Sequence, residues 1–179
     1  MTDHLLSEAL AKADLIHDRA TLLAAITRMG AEIDRDYAGK RPIFMPVMNG
    51  GLIVGGHLAL AIATDMEFDY CHATRYRSGI EGHSLIWAKA PKLSMRDRHV
   101  LLVDDILDEG YTLAAVIKHC YAEGAASVRI AVLSRKVHDR CVPGLKADYV
   151  GVELPDRWVF GFGMDYYEQG RNLPGIWAL

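Results

Sequence analysis

Residues 99–113 read HVLLVDDILDEGYTL. Four apolar residues lead into Asp104 and Asp105, and Asp108 and Glu109 follow, so four carboxylates fall within six residues. An ionised carboxylate only accepts hydrogen bonds, and two adjacent ones suit the vicinal hydroxyls of a ribose. Gly110, Tyr111 and Thr112 come next and read as the end of a tight turn, Asp108–Thr112, that opens a helix. Backbone N–H groups at a helix N-terminus hold anions, and a glycine lets the chain come close to one. A diol site beside a phosphate site fits a ribose 5-phosphate. Glu109 stands against that pattern, because an acid aimed at a phosphate would repel it.

Such chemistry needs a frame. Apolar runs at Ile43–Met48, Met66–His72, Val100–Val103, Val128–Leu133 and Tyr149–Leu154 read as strands. Helices are expected at Leu52–Ala63 and Thr112–Ala122. Another carries Leu22, Leu23, Ile26, Met29 and Ile33 on one face, with Asp18 as N-cap. Short apolar strands alternating with helices argue for an α/β fold around a mostly parallel sheet. In open parallel sheets, ligands bind beyond the carboxyl ends of the strands, which places Asp104 and Asp105 at a site rather than at an idle helix cap. Residues 75–97 are polar and long for a connection, and read as a mobile functional loop.

The bulk numbers exclude several classes. At 179 residues the chain reads as one domain, 1–179, and 51% apolar with 24% charged residues is ordinary for a soluble protein. A net charge of −3 gives no broad attraction to nucleic acid. Cys71, Cys120 and Cys141 show no paired spacing and fit reduced thiols of a cytoplasmic protein. The first residues, MTDHLLSEALAKAD, carry acids and are not expected to be a signal peptide. The uncharged run Ile43–Ala63 is long enough to span a bilayer, but Pro46, Asn49, four glycines and His57 break it, so no membrane segment is expected. Neither GxxxxGK[ST] nor a helix-opening GxGxxG is present, which removes the usual nucleoside triphosphate and dinucleotide loops. The eight histidines have no metal-ligand spacing and read as ordinary surface or core residues.

The stretch resembles the phosphoribosyl pyrophosphate (PRPP) motif of the type I phosphoribosyltransferases: four apolar residues, two acids, two apolar residues, then Asp-(Thr/Ser)-Gly-x-Thr. MNGG at 48–51, the loop after Arg75-Tyr76, SRK at 134–136 and DYVGVELPDRWVFGFGMDYYEQGRNLP at 148–174 are similar to the hypoxanthine–guanine members. The likeness covers the chain from about residue 40 onward.

The resemblance implies a parallel sheet flanked by helices, with a small hood formed by the terminal segments. It implies magnesium-dependent transfer of the 5-phosphoribosyl group from PRPP to N9 of hypoxanthine, guanine or both, giving IMP or GMP and pyrophosphate in purine salvage. Asp104 and Asp105 match the ribose pair, Asp108 the general base at purine N7, and Glu109, Gly110, Tyr111 and Thr112 the 5′-phosphate loop. Asn49, Gly50, Gly51 and Arg171 match pyrophosphate contacts. Lys136 matches the donor to O6, Trp158 the aromatic stacked on the purine, and Val159 its neighbour at the 2-position. Asp165 matches a carboxylate facing Mg2+, and Arg75 and Tyr76 the base of a lid.

Three departures stand out. Asn49 replaces a frequent basic residue, Arg75 a small hydroxyl, and Glu109 a Thr or Ser. Glu109 is expected either to point outward or to be neutralised by Arg135 or Arg140. A homodimer or homotetramer is the implied assembly. The rival reading is a non-catalytic PRPP sensor of the same fold; the persistence of Asp108, Lys136, Trp158, Asp165 and Arg171 favours the enzyme.

Overall fold

The computed structural model describes residues 5–75 and 85–179. The central sheet uses β2 (Ile43–Met48), β3 (Glu67–Phe68), β4 (Cys71–Arg75), β5 (Leu85–Lys89), β6 (His99–Leu107), β7 (Ser127–Lys136) and β8 (Tyr149–Leu154). Their order is β5-β4-β2-β6-β7-β8, with β3 paired to β2. Every pairing is parallel except β4 with β5.

Helices cover both faces. On one side α2 (Arg19–Asp36) and α3 (Gly51–Ala61) pack Leu22, Met29, Val54 and Leu58 against Leu101, Val103, Ala131 and Leu133. On the other, α4 (Tyr111–Ala122) packs Leu113 and Val116 against Val100, Leu102, Ile130 and Val132. The alternation along β6 and β7 follows from the strand period of two, and burial on both faces explains why these strands read as unbroken apolar runs. Asp18 caps α2 through its side chain, accepting the Thr21 N–H at 2.8 Å.

A second sheet joins segments near the two ends of the chain. β1 (Asp14–His17), β10 (Ile176–Ala178) and β9 (Val159–Phe160) run in the order β1-β10-β9, all antiparallel, after the short α1 (Leu6–Leu10).

Four expectations need correction. The run Met66–His72 is two strands, because Asp69 turns its carboxylate onto the N–H groups of Tyr70 and Leu93, both at 2.8 Å. Residues 75–97 are not all loop: β5 pairs with β4, Trp87 opposite Ala73. β6 runs on to Leu107 and β7 to Lys136, because the two stay paired as far as Leu107 opposite Arg135. The third helix begins at Gly51 and ends at Ala61 rather than running from Leu52 to Ala63. Among the described residues no helix is long and apolar enough to cross a membrane.

Candidate active site

The carboxyl ends of β2, β6 and β7 lie side by side in the sheet and open into a pocket of about 770 Å3. β2 delivers Asn49 and Gly50, β6 delivers Asp104, Asp105 and Asp108, and β7 delivers Lys136. Glu109, Gly110, Tyr111, Thr112, Trp158, Val159, Asp165 and Arg171 line the same pocket. Gly51 does not; it is the buried first residue of α3. Arg75 ends β4; its side chain and Tyr76 lie outside the described residues.

Asp104 and Asp105 lie within β6 rather than beyond it, so the pleat starts their side chains toward opposite faces. Asp104 is half-buried, and its Oδ1 accepts the Asp105 N–H at 3.0 Å. Asp105 is 7% exposed. The buried Ser134 hydroxyl donates to the Asp105 carbonyl at 2.9 Å and fixes this part of the strand. Burial and the charge of Asp105 push Asp104 well above the ordinary carboxylate range. Burial likewise raises Asp105, to about 6, against the opposing pull of Arg171. The site therefore holds a carboxyl pair short of solvation and ready for hydroxyl donors or a cation.

Gly50 leaves no room for anything larger. A Cβ there would stand 2.3 Å from an Asp105 carboxylate oxygen. Gly110 takes φ +80°, a left-handed conformation that glycine adopts without strain, and from it α4 starts, with Gly110, Tyr111 and Thr112 lining the pocket.

Asp108 is gripped on both oxygens. Lys136 Nζ donates to Oδ2 at 2.6 Å and His138 Nε2 lies 2.6 Å from Oδ1. Burial works against the charged form, but these hydrogen bonds and the Lys136 charge outweigh it and lower the Asp108 pKa. His138 is a core histidine, its side chain 3% exposed, and it reaches the site by its contact with Asp108. No spacing signal marks it, since the contact joins residues 30 apart through the packing of β6 on β7.

Of the two alternatives for Glu109, neutralisation by Arg135 or Arg140 is not seen among the described residues. Arg135 pairs with Glu153, and Arg140 holds both oxygens of Asp156 at 2.8 and 2.7 Å. Arg140 nonetheless feels Glu109 through space, with Asp156 the larger reason its pKa is raised.

Trp158 is 48% exposed and lines the pocket, beside Tyr167 at 5.0 Å and Tyr166 at 5.6 Å between ring centres. Arg157 locks this segment to the chain end through the Leu179 and Ala178 carbonyls, and the Leu179 N–H donates to the Trp158 carbonyl at 2.9 Å. Across the pocket Arg171 donates to the Gly163 carbonyl at 2.8 Å and pairs with Asp165 at 2.7 Å. Asp165 also accepts the Glu168 N–H at 2.9 Å.

Comparisons with known proteins show the family. The family described as "Phosphoribosyl transferase domain" matches residues 12–167. The chain is 35% identical over 176 residues to the hypoxanthine-guanine phosphoribosyltransferase of Streptococcus pneumoniae, covering 98% of this chain and 96% of that protein. Identity to the Bacillus subtilis enzyme of the same name is 33% over 155 residues, 86% of each chain. Among solved structures, a hypoxanthine phosphoribosyltransferase from Staphylococcus aureus superposes with a TM-score of 0.89 at 27% identity, over 98% of this chain and 96% of that one.

Proposed function

The chain belongs to the phosphoribosyl transferase domain family, and on that premise we propose that it transfers the 5-phosphoribosyl group of PRPP to N9 of hypoxanthine, guanine or both. The products are IMP or GMP and pyrophosphate, a step of purine salvage. One observation carries the reading: a buried acidic strand, a glycine-opened helix N-terminus and a lysine–carboxylate pair meet in one pocket beside an exposed tryptophan.

In this reading the N–H groups of residues 109–112 receive the 5′-phosphate, where the helix dipole favours negative charge. Asp104 and Asp105 accept from the ribose hydroxyls and face the positive charge that develops at C1. Trp158 stacks on the purine, Lys136 donates to O6, and the Val159 backbone meets the 2-position side. Asn49, Gly50 and Arg171 receive the pyrophosphate; a planar, always-charged guanidinium suits it. The N7 proton passes to Asp108 while N9 bonds to C1 and the C1–O bond breaks with its electron pair leaving on pyrophosphate.

Magnesium fits the donor chemistry of the site, which offers Asp165 as a hard oxygen ligand. Among the described residues no group of three or more His, Cys, Asp or Glu is gathered to hold a metal. That matches an ion that takes most of its ligands from water and substrate phosphates. Its contribution, when bound, is to neutralise charge on the leaving pyrophosphate. Asp165 would face the ion beside Arg171, its ion-pair partner, whose guanidinium would meet the same anion.

A coupled assay for pyrophosphate release tests the reading. Turnover is expected with hypoxanthine, PRPP and magnesium, and should stop on chelation. No turnover above background with any oxopurine would overturn it.

A further inference from the structure

Beyond β7 the chain enters segment 137–146, which touches the phosphate-binding turn at three points. The Val142 N–H donates to the Glu109 carbonyl at 2.9 Å. Leu145 and Cys141 fill the space beside Gly110, where an added Cβ would lie 2.3 Å from Leu145 Cδ2 and 3.6 Å from Cys141 Sγ. The third point is His138 on Asp108.

The ring of His138 is held from both sides. The Arg140 N–H donates to Nδ1 at 3.0 Å. A ring nitrogen that accepts a hydrogen bond carries no proton, so the proton sits on Nε2 and is donated to Asp108 Oδ1. The short segment thus presets one tautomer and aims one donor at one oxygen.

Lys136 cannot do this job alone. Its ammonium sits on a flexible stem, and in the proposed reaction it must turn toward the 6-oxo group of the base. Once it does, a carboxylate held by nothing else is free to rotate, since the terminal torsion of an aspartate is broad and two-fold. We propose that His138 is a positioning residue for the transfer reaction. It holds Oδ1 of Asp108 so that Oδ2, released by Lys136, faces the N7 proton. The proton moves from N7 to Oδ2, the N–H electron pair stays on the purine, and His138 keeps its own proton throughout. This rests on the purine-transfer reading above.

The charged and titratable groups facing Asp108 are Lys136 from β7, His138 and Arg140 from segment 137–146, and Glu109 from its own turn, with Asp156 beyond Arg140. Of these, Lys136 and His138 make hydrogen bonds to the carboxylate.

The test has arms that need no catalysis. In the ligand-free protein, nitrogen-15 NMR should show His138 as the Nε2–H tautomer; the opposite tautomer would overturn the proposal. Carbon-13 titration of the Asp108 carboxyl should move to higher pH in His138→Ala and stay near wild type in His138→Gln, whose amide can both accept and donate. In single-turnover assays His138→Ala should lose rate by on the order of 10²-fold, the cost of a misplaced reacting group. The KM for PRPP should change little, the acidic limb of the rate profile should move to higher pH, and His138→Gln should restore most of the rate. A loss confined to melting temperature or to PRPP binding, with the Asp108 titration unmoved, would contradict a positioning role. If wild type transfers nothing, the function reading fails, while both NMR arms still decide the placement of His138.

Discussion

Lys136 Nζ lies 2.6 Å from Oδ2 of Asp108, so the residue proposed to read the base and the residue proposed to take its proton are bonded to each other. The pair gives a lysine only 12% exposed its partner in the site, and it is why the Asp108 pKa is lowered although burial alone would raise it. In the proposed reaction a base with an acceptor at O6 competes with Asp108 for the ammonium, and its displacement returns basicity to Asp108. On that reading recognition and proton removal are linked through one ion pair.

From this, Asp108→Asn should lower kcat far more than it weakens PRPP binding. Losing one acid–base group costs about 10²–10⁴ in rate, and the amide can still accept from Lys136 and hold the turn. Calorimetry of PRPP binding beside single-turnover rates separates the two effects. Lost PRPP binding with a normal single-turnover rate would make Asp108 a structural turn residue.

Asp105 carries a stability consequence. Its pKa is raised to about 6, so the folded protein holds a proton there that the unfolded chain releases near the ordinary carboxylate value. Stability therefore falls as pH rises from about 4 through 6 and stays lower above. Asp105→Asn should raise the stability of the ligand-free protein at pH 7.5 by roughly 1–3 kcal/mol, and the gain should vanish near pH 4. Melting curves at the two pH values check this, and the variant should bind PRPP poorly.

Two glycines at α3 give opposite expectations. Gly50→Ala forces a methyl against the Asp105 carboxylate and should raise the KM for PRPP by about tenfold or more, the scale of one disturbed charged hydrogen bond. At Gly56, exposed and inside the helix, an added Cβ meets nothing within 4 Å. Gly56→Ala should stabilise the protein by about 0.5–1 kcal/mol and leave kinetics unchanged.

Glu109→Thr should tighten PRPP binding. The acid lines the pocket, and among the described residues it forms no ion pair. Replacing its charge with a hydroxyl donor should gain on the order of 1 kcal/mol, the worth of one net hydrogen bond. The effect should fall mainly on the KM for PRPP. Weaker PRPP·Mg binding by calorimetry would assign Glu109 a positive role in the turn.

Much of this was legible in the residues. The apolar runs of β2, β6, β7 and β8 stand out because a parallel sheet buried on both faces leaves no polar alternation to blur them. The acids and Gly110 of residues 104–112 announce their chemistry because their types and order are unusual at a strand end. β5 was not legible: LIWAK is a short run inside the polar segment 75–97, and only its pairing with β4 makes it a strand. The end of β6 was hidden because aspartates do not look like strand residues, and pairing with β7 carries them along. His138 and Ser134 reach the site only through the packing of β7 on β6, a contact no local spacing records.

The central claim, transfer to an oxopurine read by Lys136, is tested most directly by a competition. Hypoxanthine, guanine and adenine are offered together with PRPP and magnesium, and the nucleotides formed are identified by mass. IMP, GMP or both should accumulate. AMP should trail by about 10⁴ or more, because an ammonium only donates and the 6-amino group of adenine offers donors in place of the acceptor. AMP forming as fast as IMP and GMP would contradict the account.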